Sequence, residues 1–354
     1  MPMTTGDMEL TTYEKWQKEE GIPVHKGYHI PNLRSVEVQP WARIGGDGCF
    51  INLSDQEEDD GRIMEIAPGG SLEPERHMFE ELIYVVSGRG ATTIWQADKG
   101  KQTVEWNAGS VFSPPLNSWH QHFNADGSRP ARMLAVTSAP LVINLFHNDD
   151  FIFNNDFIFT DRYNAEDDYF TSRGRALAQG GRIWKTNFVP DARTFRLFPL
   201  PERGAGGTNV IFSIAGNAMV AHISEFPLAT YKKGHRHQAG AHVIILAGQG
   251  YSLMWKEGGP KTRYDWEEGS MFSPPDMWYH QHFNTGPAPA RYLALRWGNP
   301  EFQMWGEWDR KFRQEGGQQI EYEDEDPEIF NLFAQELARG GVQVRLPRPQ
   351  YRNK

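Results

Sequence analysis

The sequence predicts an all-β protein made of two copies of one sandwich or barrel, with short helical arms. Two observations carry that prediction. The chain repeats itself: GSVFSPPLNSWHQHFN, from Gly109 to Asn124, recurs as GSMFSPPDMWYHQHFN, from Gly269 to Asn284, 160 residues later. His77 and His237, Gly88 and Gly248, Trp95 and Trp255, and His120 and His280 keep the same offset, so no net insertion separates the copies over this span. Each copy is also a series of short runs rich in β-branched and aromatic residues, LIYVVSG, ATTIWQ, HVIILAG and YSLMW, bounded by Gly, Pro and charged turns. Many short strands at near-regular spacing make a sandwich or barrel.

The duplication extends into the flanks. ALAQGG, ending at Gly181, mirrors ELARGG, ending at Gly341, and TTYEKWQKEEG near the start reads as an earlier copy of the same arm. Each arm is expected to be a short helix stopped by glycine, which accepts the left-handed C-cap. The domain boundary then falls near residue 160, giving an N-terminal domain over 1–160 and a C-terminal domain over 161–354. Between them NDDFIFNNDFIFTDRYNAEDDYF is expected to be an interdomain or dimer packing segment, with a lid as the alternative. RGAGGTN (Arg203 to Asn209) lacks the Lys-Ser/Thr of a phosphate loop and reads as a turn leading into a strand. GGP at Gly258 is a hairpin turn, and EYEDEDPE (Glu321 to Glu328) a solvated loop before the last helix.

A chain of 354 residues can bury two cores, and 39% apolar with 13% aromatic content excludes general disorder. No apolar run approaches the roughly 18 residues of a membrane helix. The N-terminus has no basic segment followed by an apolar one, so a cytoplasmic protein without a classical signal peptide is expected. The single cysteine, Cys49, excludes an internal disulfide. A formal charge of −10 without clustered Lys and Arg argues against nucleic acid, leaving small molecules as the expected partners.

The histidines give the chemistry. On a strand, His235 and His237 share a face while Arg236 points away. At this point the chain resembles the cupin superfamily, whose first motif is Gly, His-x-His, a Glu and a later Gly, and whose second is Gly, five residues, Pro-x-Gly, two residues, His, three residues, Asn. His235, His237 and Gly248 match the first motif, and Gly269, Pro275, His280 and Asn284 the second. The first repeat matches with His77, Glu81 and Gly88, then Gly109, Pro115, His120 and Asn124. Asn117 and Met277 replace the usual Pro-x-Gly glycine. The resemblance is to a bicupin and covers nearly everything outside the arms. It implies two tandem double-stranded β-helix (jelly-roll) barrels, each with the motif histidines pointing inward.

On that resemblance His235, His237 and His280 supply three neutral imidazoles, while the family's carboxylate position is Ala241. His242, one residue on, faces outward by plain alternation and becomes a fourth ligand only if a bulge at the preceding glycine turns it inward. The first repeat offers Glu75, His77, Glu81 and His120, either a harder divalent site or a metal-free domain whose acids pair with arginines. His122 and His282 follow the ligands by two residues. His282 is a candidate acid/base group or, more simply, a hydrogen-bonded interior histidine. Arg263 and Arg291 are candidates to bind a substrate carboxylate.

The functional expectation is an Fe(II)-dependent dioxygenase acting with dioxygen on a small, anionic, oxygenated substrate, similar to bicupins that cleave gentisate and hydroxynaphthoate. In that group the first domain usually carries the iron, whereas here the second is fuller. Mn, Ni, Zn or Cu also suit imidazole. The alternatives are a Mn-dependent decarboxylase or isomerase of the oxalate-decarboxylase type, and a non-enzymatic ligand-binding bicupin. The arms fit either a homo-oligomer, packed on a neighbouring barrel, or clasping within one chain.

Overall fold

The computed structural model describes residues 10–352 apart from 55–57, 98, 178–180, 239 and 303–317. Each repeat forms one large and one three-stranded sheet, packed face to face. The small sheets are Trp119–Asn124, Arg89–Trp95 and Gln102–Asn107 in the first repeat, and Thr262–Glu267, Gln249–Trp255 and Tyr279–Asn284 in the second. Alternation decides which side chains go inside: along Arg89–Trp95, Gly90, Thr92 and Ile94 are buried and their neighbours are not. In the first barrel Ile83 and Val85 of the large sheet meet Val104 and Trp106 of the small one. Gly90 and Gly250 are required there, since a Cβ on either would lie 1.9 Å from the carbonyl oxygen of Phe123 or Phe283.

The two large sheets also pack against each other. Ile63, Leu82 and Leu134 from the first repeat share one apolar cluster with Ile223, Ile244 and Leu293 from the second. The repeats exchange strands as well. His29–Ile30 pairs with Met271–Phe272 in the second barrel, and Phe188–Val189 pairs with Val111–Phe112 in the first. A division near residue 160 therefore separates the repeats in sequence, while each large sheet borrows a strand from the other repeat.

The arms clasp their own barrels. Helix α1 (Thr12–Glu20) opens on a capping box between Thr11 and Glu14, ends at Gly21 with φ 70°, and buries Tyr13 and Trp16 against the first barrel. The middle arm is not a helix where it is described. Arg175–Ala176 pairs with Trp184 and Lys185 as a hairpin, which satisfies its backbone groups without helical turns, and residues 178–180 lie outside the described residues. Helix α2 (Ala139–Phe146) precedes the acidic-aromatic segment, which opens with α3 (Asp149–Phe153) and packs over the first barrel. Tyr163 and Tyr169 bury against Ile94, and the Asn117 side-chain amide donates to the carbonyls of Asn155 and Phe157. No helix among the described residues is long and apolar enough to cross a membrane.

Helix α4 (Pro327–Arg339) lays Phe330, Phe333 and Leu337 on Tyr231, Tyr251 and Phe283 of the second barrel. The acidic run before it is not wholly solvated. Glu325 is 4% exposed, accepts from the Tyr231 hydroxyl and, at 3.2 Å, from Gln281, and burial pushes its carboxyl up to about 7. A raised carboxyl pKa contributes stability that is full below the unfolded value and is lost as pH rises through the folded one. We expect the thermal midpoint to fall between about pH 4.5 and pH 7 by the equivalent of about 3 kcal/mol. In Glu325→Gln that slope should flatten, as thermal unfolding across this pH range will show.

Candidate metal centre

In the second barrel His235 and His280 lie opposite each other, each backbone N–H donating to the other's carbonyl, at 3.0 and 2.8 Å. This pairing brings the two motifs together from either end of the repeat. The rings of His235 and His237 lie 4.3 and 4.9 Å from that of His280, and the three ligand atoms all fall within 4.8 Å of one another. Each Nδ1 is 3.2 Å from a backbone carbonyl, of Lys233, Gln238 and Trp278 respectively. Donation of the Nδ1 proton to these oxygens leaves the Nε2 lone pairs facing the barrel, the arrangement that orients metal-bound histidines. Burial, with nearby Arg203 and Arg296, holds His235 and His237 well below the usual histidine range; burial, opposed by the Trp278 carbonyl, pushes His280 down to about 3. Neutral, convergent Nε2 atoms fit a divalent ion.

The first barrel places Glu75 and His120 in the same backbone pair, with Glu75, His77 and His120 converging within 4.8 Å. Its charge is already balanced. Arg62 donates to Glu75 at 2.9 Å and to Glu81 at 2.8 Å, and His120 Nε2 lies 3.2 Å from Glu81. Burial disfavours the charged form of His120, yet Glu75 and Glu81 outweigh it and push the imidazole up to about 10. Burial would likewise raise the two carboxyls, but Arg62 and the histidines hold both well below the usual range. His77 Nε2 and His120 Nε2 both converge on Glu81 Oε1, at 3.6 and 3.2 Å, so a hard divalent ion fits here too. It would have to displace the His120 proton and share both carboxylates with Arg62.

Other expected site residues lie elsewhere. His242 faces away from the trio: alternation along His242–Ala247 puts Val243 and Ile245 in the barrel core, while His242 Nε2 sits 3.1 Å from Asp59 between the barrels. The register with the last strand runs unbroken from His242 to Ile245. Arg291 donates to the carbonyls of Ala192 and Phe195 and pairs with Glu225. Its counterpart Arg132 does the same to Leu33, Val36 and Glu65, so both arginines brace the exchanged segments. Arg263 stacks on Tyr251 outside the barrel and pairs with Asp265 and Glu336 of α4. His282 does line the second barrel. The Ser252 hydroxyl accepts from Trp266 Nε1 at 3.0 Å and lies 2.8 Å from His282 Nδ1, leaving Nε2 to carry the proton. Thr92, Trp106 and His122 repeat this in the first barrel.

Among the described residues, Lys232 and Arg296 are the cations at the second site, and the charge of Arg203, which donates to Gln319 at 2.9 Å, also bears on the trio. Arg296 is 3.5 Å from His237, and Lys232, 2% exposed, donates to the Tyr292 hydroxyl at 3.0 Å. The repeat held a signal for two of them. Lys232 stands where the first copy has Leu72, and Arg296 pairs across the sheet as Thr137 does, since one residue fewer precedes the last strand of the second copy. A charged residue on a barrel strand whose copy is uncharged marks a changed interior.

Two facing-sheet barrels, each with motif histidines gathered at one end, define the class by fold: two tandem cupin-type barrels. Residues 62–137 match the cupin domain family. No curated protein matches the sequence. In fold the chain is similar to oxalate decarboxylase from Lactobacillus farciminis in its formate complex, at 14% identity and TM-score 0.52 over 77% of this chain and 86% of that one. It is likewise similar to Bacillus subtilis oxalate decarboxylase, in a deletion mutant and in a structure concerned with its Mn(II) centres. Each of these has 13% identity and TM-score 0.50 over 77% of both chains.

Proposed function

We propose that the protein is a metal-dependent enzyme whose second barrel binds a small, anionic, oxygenated substrate at a divalent ion held by His235, His237 and His280. The observation that carries this is the set of three neutral, convergent imidazoles beside Arg203, Lys232 and Arg296. When bound, the ion supplies Lewis-acid polarisation and fixes the substrate's oxygens. The three histidines take one face of it and leave the other to substrate. His282 offers Nε2–H to a substrate oxygen, with Ser252 fixing the ring. Ala241 supplies no carboxylate, and an all-imidazole Fe(II) site with open positions supports a dioxygenase that uses dioxygen as co-substrate.

A redox-neutral, manganese-dependent decarboxylation or isomerisation is the second reading, and likeness of fold favours it over the first. The fold relatives are oxalate decarboxylases, one studied for its Mn(II) centres, and the carboxylate-imidazole set of Glu75, His77, Glu81 and His120 suits manganese. Loading the protein with Fe(II) or Mn(II) and following product from a panel of small carboxylates, in air and under argon, separates the two. Oxygen uptake matching product in air alone supports the dioxygenase; carbon dioxide or isomer formed under argon supports the second reading. Product with neither metal would leave a binding protein. For His282→Gln we expect unchanged metal content and turnover reduced about a hundredfold, measured beside wild type.

A further inference from the structure

The two stretches that carry the motif histidines of the second barrel share a third partner, the C-terminal arm. His235 bridges Gln319 as well as His280: the Arg236 N–H donates to the Gln318 carbonyl at 3.0 Å, and the Ile320 N–H to the Gly234 carbonyl at 2.7 Å. Gln319 is 4% exposed, and its side chain accepts from Arg203 at 2.9 Å and donates to the Glu202 carbonyl at 3.0 Å. Further along, the same arm reaches the other strand. Glu325 accepts from Gln281, the neighbour of His280, and from the Tyr231 hydroxyl, while Phe330 and Phe333 of α4 cover Tyr231 and Phe283. On that strand His280 and His282 point into the barrel and Gln281 and Phe283 out of it, so the arm holds the histidines from behind. The first barrel has no such brace among the described residues. Glu75 pairs there with His120 alone, Ser71 stands in the place of Tyr231, and Gln121 donates to the Leu72 carbonyl at 2.8 Å.

The groups that bear most strongly on Glu325 are the Tyr231 hydroxyl and the Gln281 amide, which donate to it, and Asp326 and Glu323 on its own segment, which repel its charge. Tyr322 and Tyr351 stand around it, Lys261 pairs with Asp326, and Arg352 with Asp324. Burial outweighs the two donors, so the docked arm keeps the carboxyl protonated up to about 7, whereas a carboxyl lifted into water ionises near its ordinary 4.5. We propose that residues 318–326 are a strap on the second metal centre, latched by the Glu325 carboxylic acid, and that loss of its proton loosens the strands carrying His235 and His280 and speeds metal release. The effect on metal rests on the three-imidazole centre proposed above; the latch itself does not. Because the docked arm binds the proton more tightly, docking is strongest in acid. It weakens about tenfold per pH unit from about pH 4.5 to about pH 7 and is level beyond.

Hydrogen exchange of the full-length, metal-free protein, read amide by amide and corrected for its intrinsic pH dependence, tests the latch. Protection of the Ile320 and Arg236 amides should lie below that of Arg89–Trp95 in the first barrel, as local opening requires, and should fall at least tenfold between about pH 5 and pH 7. In Glu325→Gln, whose amide mimics the protonated acid, it should stay level. Level protection in the wild type, a fall that persists in Glu325→Gln, or protection that matches Arg89–Trp95 throughout overturns the proposal. The second readout is release of Mn(II) to excess chelator at pH 7 in a His120→Ala background, which leaves the second barrel as the site. Release should be at least about fivefold slower with Glu325→Gln than without it. The variant strengthens the strap, so misfolding does not imitate this result, and equal rates overturn the link to the metal. If no Mn(II) binds in this background while exchange behaves as expected, the three-imidazole reading fails and the latch stands.

Discussion

Replacing His280 with alanine is expected to strip the second barrel of its metal and abolish turnover, with metal affinity reduced at least a hundredfold. The loss follows from the donor count, since two imidazoles would remain where three converge within 4.8 Å and, among the described residues, no carboxylate stands by to substitute. Folding should survive. His280 holds its place through backbone hydrogen bonds with His235, which alanine keeps. Metal measured by mass spectrometry after gel filtration checks this against His120→Ala, which alters the equivalent position of the first barrel. The latter should leave the metal of the second barrel and its turnover in place. Equal loss in both variants would mean that the barrels depend on each other for metal.

The second large effect is on stability. Arg62→Leu should destabilise the protein by about 3–5 kcal/mol, because it leaves Glu75 and Glu81 buried without their guanidinium partner. That corresponds to a fall in thermal midpoint on the order of 10 °C. The pH dependence has a definite sign. Both carboxyls have folded values below their unfolded ones, so the stability they contribute is present above about pH 4.5 and is lost as pH falls through the folded values. The deficit of Arg62→Leu should therefore be greatest at neutral pH and shrink in acid. Adding Glu81→Gln to the variant should recover part of it, which thermal unfolding of the double variant will show.

Much of this was legible in the sequence. The offset of 160 residues between His120 and His280 was sufficient to pair the repeats, and strand alternation sufficed to put His235 and His237 on one face, while it left His242 open between the outward face and a bulge that would make it a fourth ligand. What the pattern could not supply was the identity of the charges around the trio. Arg291 and Arg263 were expected near substrate because they sit on strands close in sequence to the ligands. In three dimensions one braces an exchanged segment and the other pairs with α4, contacts that join parts of the chain far apart in sequence. Arg203 was hidden in a stretch that reads only as a turn, and no motif singled out Lys232 beside the histidines. The comparison that exposes Lys232 and Arg296 is between the barrels, and it needs the pairing register of the last strand. The middle arm differs for another reason: its likeness to ELARGG is one of sequence, while at its described start Arg175–Ala176 pairs with Lys185 and Trp184.

The central claim is that a divalent ion sits on His235, His237 and His280. Anomalous diffraction from crystals grown with Mn(II) or Fe(II), recorded on either side of the metal's absorption edge, tests it most directly. The account predicts a peak bounded by the three Nε2 atoms and absent in His280→Ala. A peak confined to Glu75, His77, Glu81 and His120, with none in the second barrel under any of these conditions, would contradict it.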